Sequence, residues 1–167
     1  MPWFCCSETE SGRQVTDYER LEAELVSVLK ERFGDDADAM MIPPPVFRAM
    51  QAQVIDFDLA AGLLTVRFPV LHEQLNPFGN MQGGMVAAMI DNTLGPLSMA
   101  IAPPNFTRHF EIKYRRPVHP DMGHVLVTGS LVGREERRLL LAAKVTDGDG
   151  DELAAAKSVH WIIDENQ

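Results

Sequence analysis

Residues 83–101 form a nearly unbroken apolar run with one ionisable side chain, Asp91. Its neighbours within a helical turn, Ala87, Ala88, Ile90 and Leu94, are all apolar. Burying an unpaired carboxylate costs several kcal/mol. A carboxylate kept in such a run therefore either meets a structural partner or serves as a base, its pKa raised by partial burial. The residues alone leave both uses open and predict that Asp91 is partly buried. Gly83-Gly84 open the same run. Glycines there let the backbone approach a ligand closely. The first N–H groups of a helix have no internal partner, and the helix dipole makes that end partly positive. Such an end can hold a developing oxyanion. The plainer use of a glycine pair is a tight turn.

Eight residues separate Gly83 from Asp91, about 12 Å along a helix. That is too far for both to act on one carbonyl within one chain. Two such helices running antiparallel across a two-fold axis would bring Asp91 of one copy near Gly83 of the other, giving two shared sites.

The elements around the run follow from periodicity. Thr16-x-x-Glu19 has the form of a capping box, and Tyr18, Leu21, Leu25, Val28 and Leu29 then share one helical face, with Gly34 as the stop. Pro43-Pro44-Pro45 reads as a stiff connector. Beyond it the period becomes that of strands. A first strand is expected over 47–57, and a second where Leu64, Val66, Phe68 and Val70 alternate with polar neighbours. Residues 71–82 read as an irregular loop. Pro103-Pro104 ends the apolar helix, and four strand-like runs follow at 110–114, 125–132, 139–145 and 154–163. Runs so closely linked favour hairpins. The order β-β-α-β-β-β-β predicts an α+β fold, an antiparallel sheet wrapped round one long buried helix, with an N-terminal helical extension. The domain reading is an acidic extension over 1–41 and a single domain over 42–167.

The chain has 167 residues, 46% hydrophobic and 23% charged, which is ordinary globular composition. Its net charge is −9, the wrong sign for a nucleic-acid partner. Residues 1–41 carry −6 of that charge. Asp91, Asn92, Gly95 and Pro96 within the apolar run, with no basic flanks, argue against a membrane span. Cys5 and Cys6 are adjacent, a poor geometry for a structural disulfide, and fit a reducing compartment. No basic and apolar leader precedes the helix, so a cytoplasmic protein is expected. The five histidines lack metal-ligand spacing, and Asp147-x-Asp149-x-Asp151 lacks the later glycine and glutamate of a calcium loop. No metal and no cofactor are expected. Arg108, Lys113, Arg115 and Arg116 make the most basic stretch.

Asn76, then Gln82-Gly83-Gly84, then Asp91 have the spacing of a known signature. The segment resembles the hot-dog-fold acyl-CoA thioesterases of the phenylacetate-pathway, PaaI-like group, over about residues 42–164. That signature places His-Gly-Gly six residues after an asparagine, and an acid eight residues after the first glycine. The resemblance implies hydrolysis of an acyl-CoA thioester. Asp91 would be general base or nucleophile, Gly83 N–H would polarise the carbonyl from the partner subunit, and Asn76 would orient the water or the thioester. Gln82 and Gly84 would line the substrate, as would Thr107, seven residues before Tyr114. Gln82 replaces the family histidine, and a glutamine hydrogen-bonds without titrating. The acyl group would lie along apolar side chains of the helix, Met85 and Met89 among them, and the basic stretch could meet coenzyme A phosphates. A homodimer at least is implied, and similar folds also form dimers of dimers. Two other readings remain: a hot-dog enoyl-CoA hydratase or dehydratase, for which His72 is the one histidine in the preceding loop, and a non-catalytic acyl-CoA-binding module.

Overall fold

The computed structural model describes residues 16–163. Cys5 and Cys6 lie outside the described residues. Helix α1 (Asp17–Phe33) starts on the expected capping box: Glu19 N–H donates to Thr16 Oγ1 at 3.3 Å, and Thr16 N–H donates to the Glu19 carboxylate at 2.8 Å. Gly34, at φ 54°, ends it in a conformation that favours glycine. A 3-10 turn, Gly34–Ala39, follows.

The first strand is shorter than the sequence predicts. Residues 47–49 belong to a short helix, α2 (Pro45–Ala49), and β1 spans Gln53–Asp58. Pro45 sits at the first position of that helix, where its missing N–H costs nothing. Phe47 turns into the core and packs edge-on against Phe68 with ring centroids 6.4 Å apart. The loop expected over 71–82 carries a 3-10 turn, His72–Gln74.

Strands β2 (Leu63–Pro69), β3 (Asn105–Tyr114), β4 (His124–Glu135), β5 (Arg138–Thr146) and β6 (Glu152–Ile162) complete a six-stranded antiparallel sheet in the order β1-β2-β4-β5-β6-β3. Helix α3 (Gly83–Ile101) packs on its inner face. Val86, Met89, Ile90, Thr93, Leu94 and Leu97 recur at helical spacing and are buried against the sheet. Gly129 of β4 permits this contact. A β-carbon there would stand 2.9 Å from Leu94 Cδ2 and 3.3 Å from Thr93 Cγ2. This is the hot-dog fold, a long helix lying along an antiparallel sheet. Helix α1 lies against β1 and α3, and its Leu25 and Leu29 join the same buried cluster. Among the described residues no helix is long and apolar enough to cross a membrane.

Candidate active site

Asp91 lies off the stripe of α3 that is buried against the sheet; it meets only the edge strand β3 and is exposed in the single chain. The burial expected from its apolar neighbours is therefore corrected. In a helix this uniformly apolar, composition hides which face meets the sheet. Asp91, Asn92, Gly95, Pro96 and Met99 line the other face, together with Leu29, Phe33, Met40, Met41, Ile42, Pro44 and Val46 from the N-terminal segment. Between them runs an apolar cleft of about 300 Å³ with the Asp91 carboxylate as its charged group. Met85 and Met89 do not line it: Met89 is fully buried in the core, and Met85 packs against the core's edge. The acyl-lining role expected for them is not supported by their positions.

Thr107 stands beside Asp91. Its hydroxyl donates to Asp91 Oδ1 at 3.0 Å and lies 3.2 Å from His160 Nε2. The interval from Thr107 to Tyr114 is odd, which in a regular strand would send the two side chains to opposite faces. The register slips between Thr107 and His109, so one extra residue enters β3 and both side chains face α3. Thr107 thereby meets Asp91. Tyr114 donates its hydroxyl to Gly83 C=O at 2.8 Å.

His160 is the residue that sequence reasoning passed over. It is paired in register with Thr107 and is 1% exposed. Burial pushes its pKa below the ordinary histidine value, against a smaller upward pull from the Asp91 charge. Its Nδ1 lies 3.1 Å from both Ser98 Oγ and Asn105 Oδ1. The signal was period-2 alternation in β6, which puts Ala154, Ala156, Ser158 and His160 on the inner face.

Gly83 and Gly84 begin α3, where Gln82 is the N-cap without a side-chain cap. The helix thus leaves its first N–H groups free of helical acceptors. Gln82 is exposed, and its backbone bridges the loop to the helix: its N–H donates to Gln74 C=O at 2.8 Å and its carbonyl accepts from Met85 N–H at 2.8 Å. Asn76 shapes the loop before it. Asn76 Oδ1 accepts from Phe78 N–H at 2.9 Å and Asn80 N–H at 3.2 Å. That leaves its amide hydrogens for a ligand.

A second cavity, about 240 Å³, is bordered by Gly83, Val86, Tyr114, Arg115 and Arg116. The basic stretch is divided. Arg115 pairs with Glu152, Arg116 with Asp151 at 3.0 Å, and Arg108 stacks over Trp161 at 4.4 Å. His72 belongs to the 3-10 turn at the start of the loop before α3. The Asp147 carboxylate accepts from the N–H groups of Asp149 and Asp151, closing the β5–β6 turn. Among the described residues no group of three or more His, Cys, Asp or Glu side chains could hold a metal ion.

Within one chain the structure therefore joins Asp91, Thr107 and His160, and separately Gly83 and Tyr114. A carboxylate beside an apolar cleft has the chemistry of a base, and a helix N-terminus without a side-chain cap has the chemistry to hold an oxyanion. Residues 78–154, which contain Gly83, Asp91 and Thr107, match the family model of the thioesterase superfamily. No curated protein sequence matches the chain. Among solved structures, the fold is similar to a putative thioesterase, a phenylacetic acid degradation-related protein of Ralstonia eutropha JMP134. The TM-score is 0.69 at 23% identity, over 81% of this chain and 98% of that one. The PaaI protein of the E. coli phenylacetic acid degradation operon gives a TM-score of 0.69 at 16% identity, over 81% and 96%. A hypothetical thioesterase of Streptococcus pneumoniae TIGR4, solved with coenzyme A, gives 0.63 at 16% identity, over 70% and 88%.

Proposed function

We propose that this chain, whose residues 78–154 match the family model of the thioesterase superfamily, hydrolyses an acyl-CoA thioester to the free acid and coenzyme A. The observation that carries this reading is the Asp91 carboxylate at the edge of an apolar cleft, held by the Thr107 hydroxyl at 3.0 Å. Asp91 takes a proton from water as the water oxygen attacks the thioester carbon, and charge builds on the carbonyl oxygen. Direct attack by Asp91, giving a transient anhydride, uses the same geometry. Gly83 N–H of a second copy then receives the oxyanion at the partly positive end of its helix. The thiolate of coenzyme A is a good leaving group, so the glutamine at position 82 need not deliver a proton. Gln82, Gly84 and the free amide of Asn76 border the thioester.

The cleft of about 300 Å³ is at the lower end of small-ligand pockets. That suits an acyl group and not a whole coenzyme. Coenzyme A would instead run past Gly83 toward Arg115 and Arg116, whose guanidinium groups suit phosphates. The coenzyme A bound to the S. pneumoniae relative supports that chemistry here. Two copies per site make a homodimer the working unit, and dimers of dimers are compatible with it. We read 1–41 as an extension to a domain over 42–167, and the protein as cytoplasmic.

The test is a mass-based assay of free coenzyme A from short, long and aryl acyl-CoAs, with an enoyl-CoA included. Release of coenzyme A from the saturated members is expected. Addition of water to the enoyl-CoA without release would favour a hydratase. Tight binding without either would favour a binding module.

A further inference from the structure

The hydrogen bonds around His160 define its protonation. Ser98 gives its one hydroxyl hydrogen to Gly95 C=O at 2.8 Å. Asn105 gives its amide to Pro103 C=O at 2.8 Å, which turns Oδ1 toward the ring. Both groups therefore face Nδ1 as acceptors, and Nδ1 carries the hydrogen. Burial favours the neutral ring, so Nε2 is bare. It faces the Thr107 hydroxyl at 3.2 Å. Thr107 has one hydrogen and two acceptors, Asp91 Oδ1 and His160 Nε2. While Asp91 is ionised the carboxylate wins, because a charge-assisted bond is the stronger.

Resting on the hydrolytic reading above, we propose that His160 is a positioning residue. Its bare Nε2 takes the Thr107 hydrogen whenever Asp91 loses its charge, so the hydroxyl turns from one acceptor to the other during turnover. When Asp91 accepts the proton from water, one water O–H bond breaks and one carboxyl O–H bond forms. The water oxygen bonds the thioester carbon as the carbonyl π pair moves onto oxygen; return of that pair breaks the C–S bond and releases the coenzyme A thiolate. The new carboxyl hydrogen donates to Thr107 Oγ1, and the threonine hydrogen swings to Nε2. No covalent bond of Thr107 or His160 breaks. The neutral carboxyl then keeps, through Thr107, a hydrogen-bond partner that it would lack without His160. If Asp91 is instead acylated, its charge is lost in the same way and the hydroxyl turns likewise.

The groups facing the ring are few. Ser98 and Asp91 come from α3, and Thr107 and Asn105 from β3. Leu139 is its register neighbour on β5. Asp91 is the charge that acts on it.

Two measurements test this on the full chain. Nitrogen-15 NMR of His160 at neutral pH should show the neutral ring with its hydrogen on Nδ1; hydrogen on Nε2, or a charged ring, overturns the proposal. In steady-state kinetics, His160→Phe should lower kcat about tenfold, the worth of one hydrogen bond. KM should stay unchanged, and the acidic limb of the kcat profile should move to lower pH. His160→Gln, which restores an acceptor, should recover part of both. An unmoved limb, or equal losses in the two variants, overturns the proposal in favour of a packing role. Should His160→Phe not fold, His160→Gln is compared with and without Thr107→Val. The two effects should then be non-additive, and simple additivity overturns the proposal. Absence of turnover in the wild type would overturn the hydrolytic reading itself. Turnover that ignores His160 overturns only its assignment here.

Discussion

Asp91 is held from one side only. Thr107 reaches it from β3, and the rest of the carboxylate faces the cleft. In the proposed reaction Gly83 N–H is the complementary group, and its place at the first turn of α3 allows that N–H to be removed without disturbing the helix. Proline is favoured at that position. The preceding residue, Gln82, already has φ −62° and ψ 133°, which a following proline accepts. The β-carbon would meet the Tyr114 ring at 3.5 Å, an ordinary contact. Gly83→Pro should therefore fold with an unchanged melting temperature and lose about 100-fold or more in kcat, as expected for an oxyanion donor. Gly83→Ala, which adds the β-carbon and keeps the N–H, should stay within a few-fold of wild type. At this scale the sequence is legible where spacing alone matters: the intervals single out Gly83, Asp91 and Thr107, and the structure sets Gly83 at the start of α3 and Thr107 beside Asp91. It was not legible where an inserted strand residue decides orientation. Nothing in the run from Thr107 to Tyr114 announces the register slip that turns both to the helix. His160 escaped notice because its partners, Ser98 and Asn105, come from distant parts of the chain.

Helix α3 uses its two faces differently. The sheet-facing stripe is aliphatic and closely packed. The cleft-facing stripe includes Gly95 and Pro96, poor helix formers. An interior proline removes an N–H and crowds the carbonyl of residue i−4, so this part of the helix depends on packing to stay helical. Gly95 has open space where a β-carbon would project. Gly95→Leu should stabilise the helix by up to about 1 kcal/mol from propensity and fill the cleft. Its expected signature is a shift of preference toward shorter acyl chains. An unchanged chain-length profile in a folded Gly95→Leu protein would place the acyl group elsewhere. The helices and most strands were legible from period and caps. Residues 47–49 of the first expected strand, which belong to α2, were not: their apolar side chains fit either element, and Pro45 at a helix start settled the matter locally.

Across the whole molecule, β3 is an edge strand of ten residues, exposed along most of its length. A long open edge is a template for pairing with another chain, and Phe78, 90% exposed in the loop before α3, is an apolar group left uncovered. Both fit a second copy. If that copy completes the site, Asp91→Asn and Gly83→Pro chains, each nearly inactive, should regain activity when unfolded and refolded together. Sites built wholly within one chain would show no recovery.

Stability should also respond to pH through His160. Its pKa is lowered on folding from the ordinary 6.5, so the unfolded chain binds the extra proton first. The stability it lends is complete above about 6.5 and is lost as pH falls toward the folded value. Urea melts should show stability falling below that pH, with a shallower fall in His160→Gln. Because Asp91 pulls the histidine upward, Asp91→Asn should extend the loss to lower pH.

The most direct measurement is free coenzyme A release by wild type and Asp91→Asn on the best substrate of the panel, with folding and acyl-CoA binding measured in parallel. Hydrolysis through Asp91 predicts a loss of about 100-fold or more in kcat, the range of general-base and nucleophile removal, with binding retained. A folded, binding Asp91→Asn protein that turns over within a few-fold of wild type would contradict it.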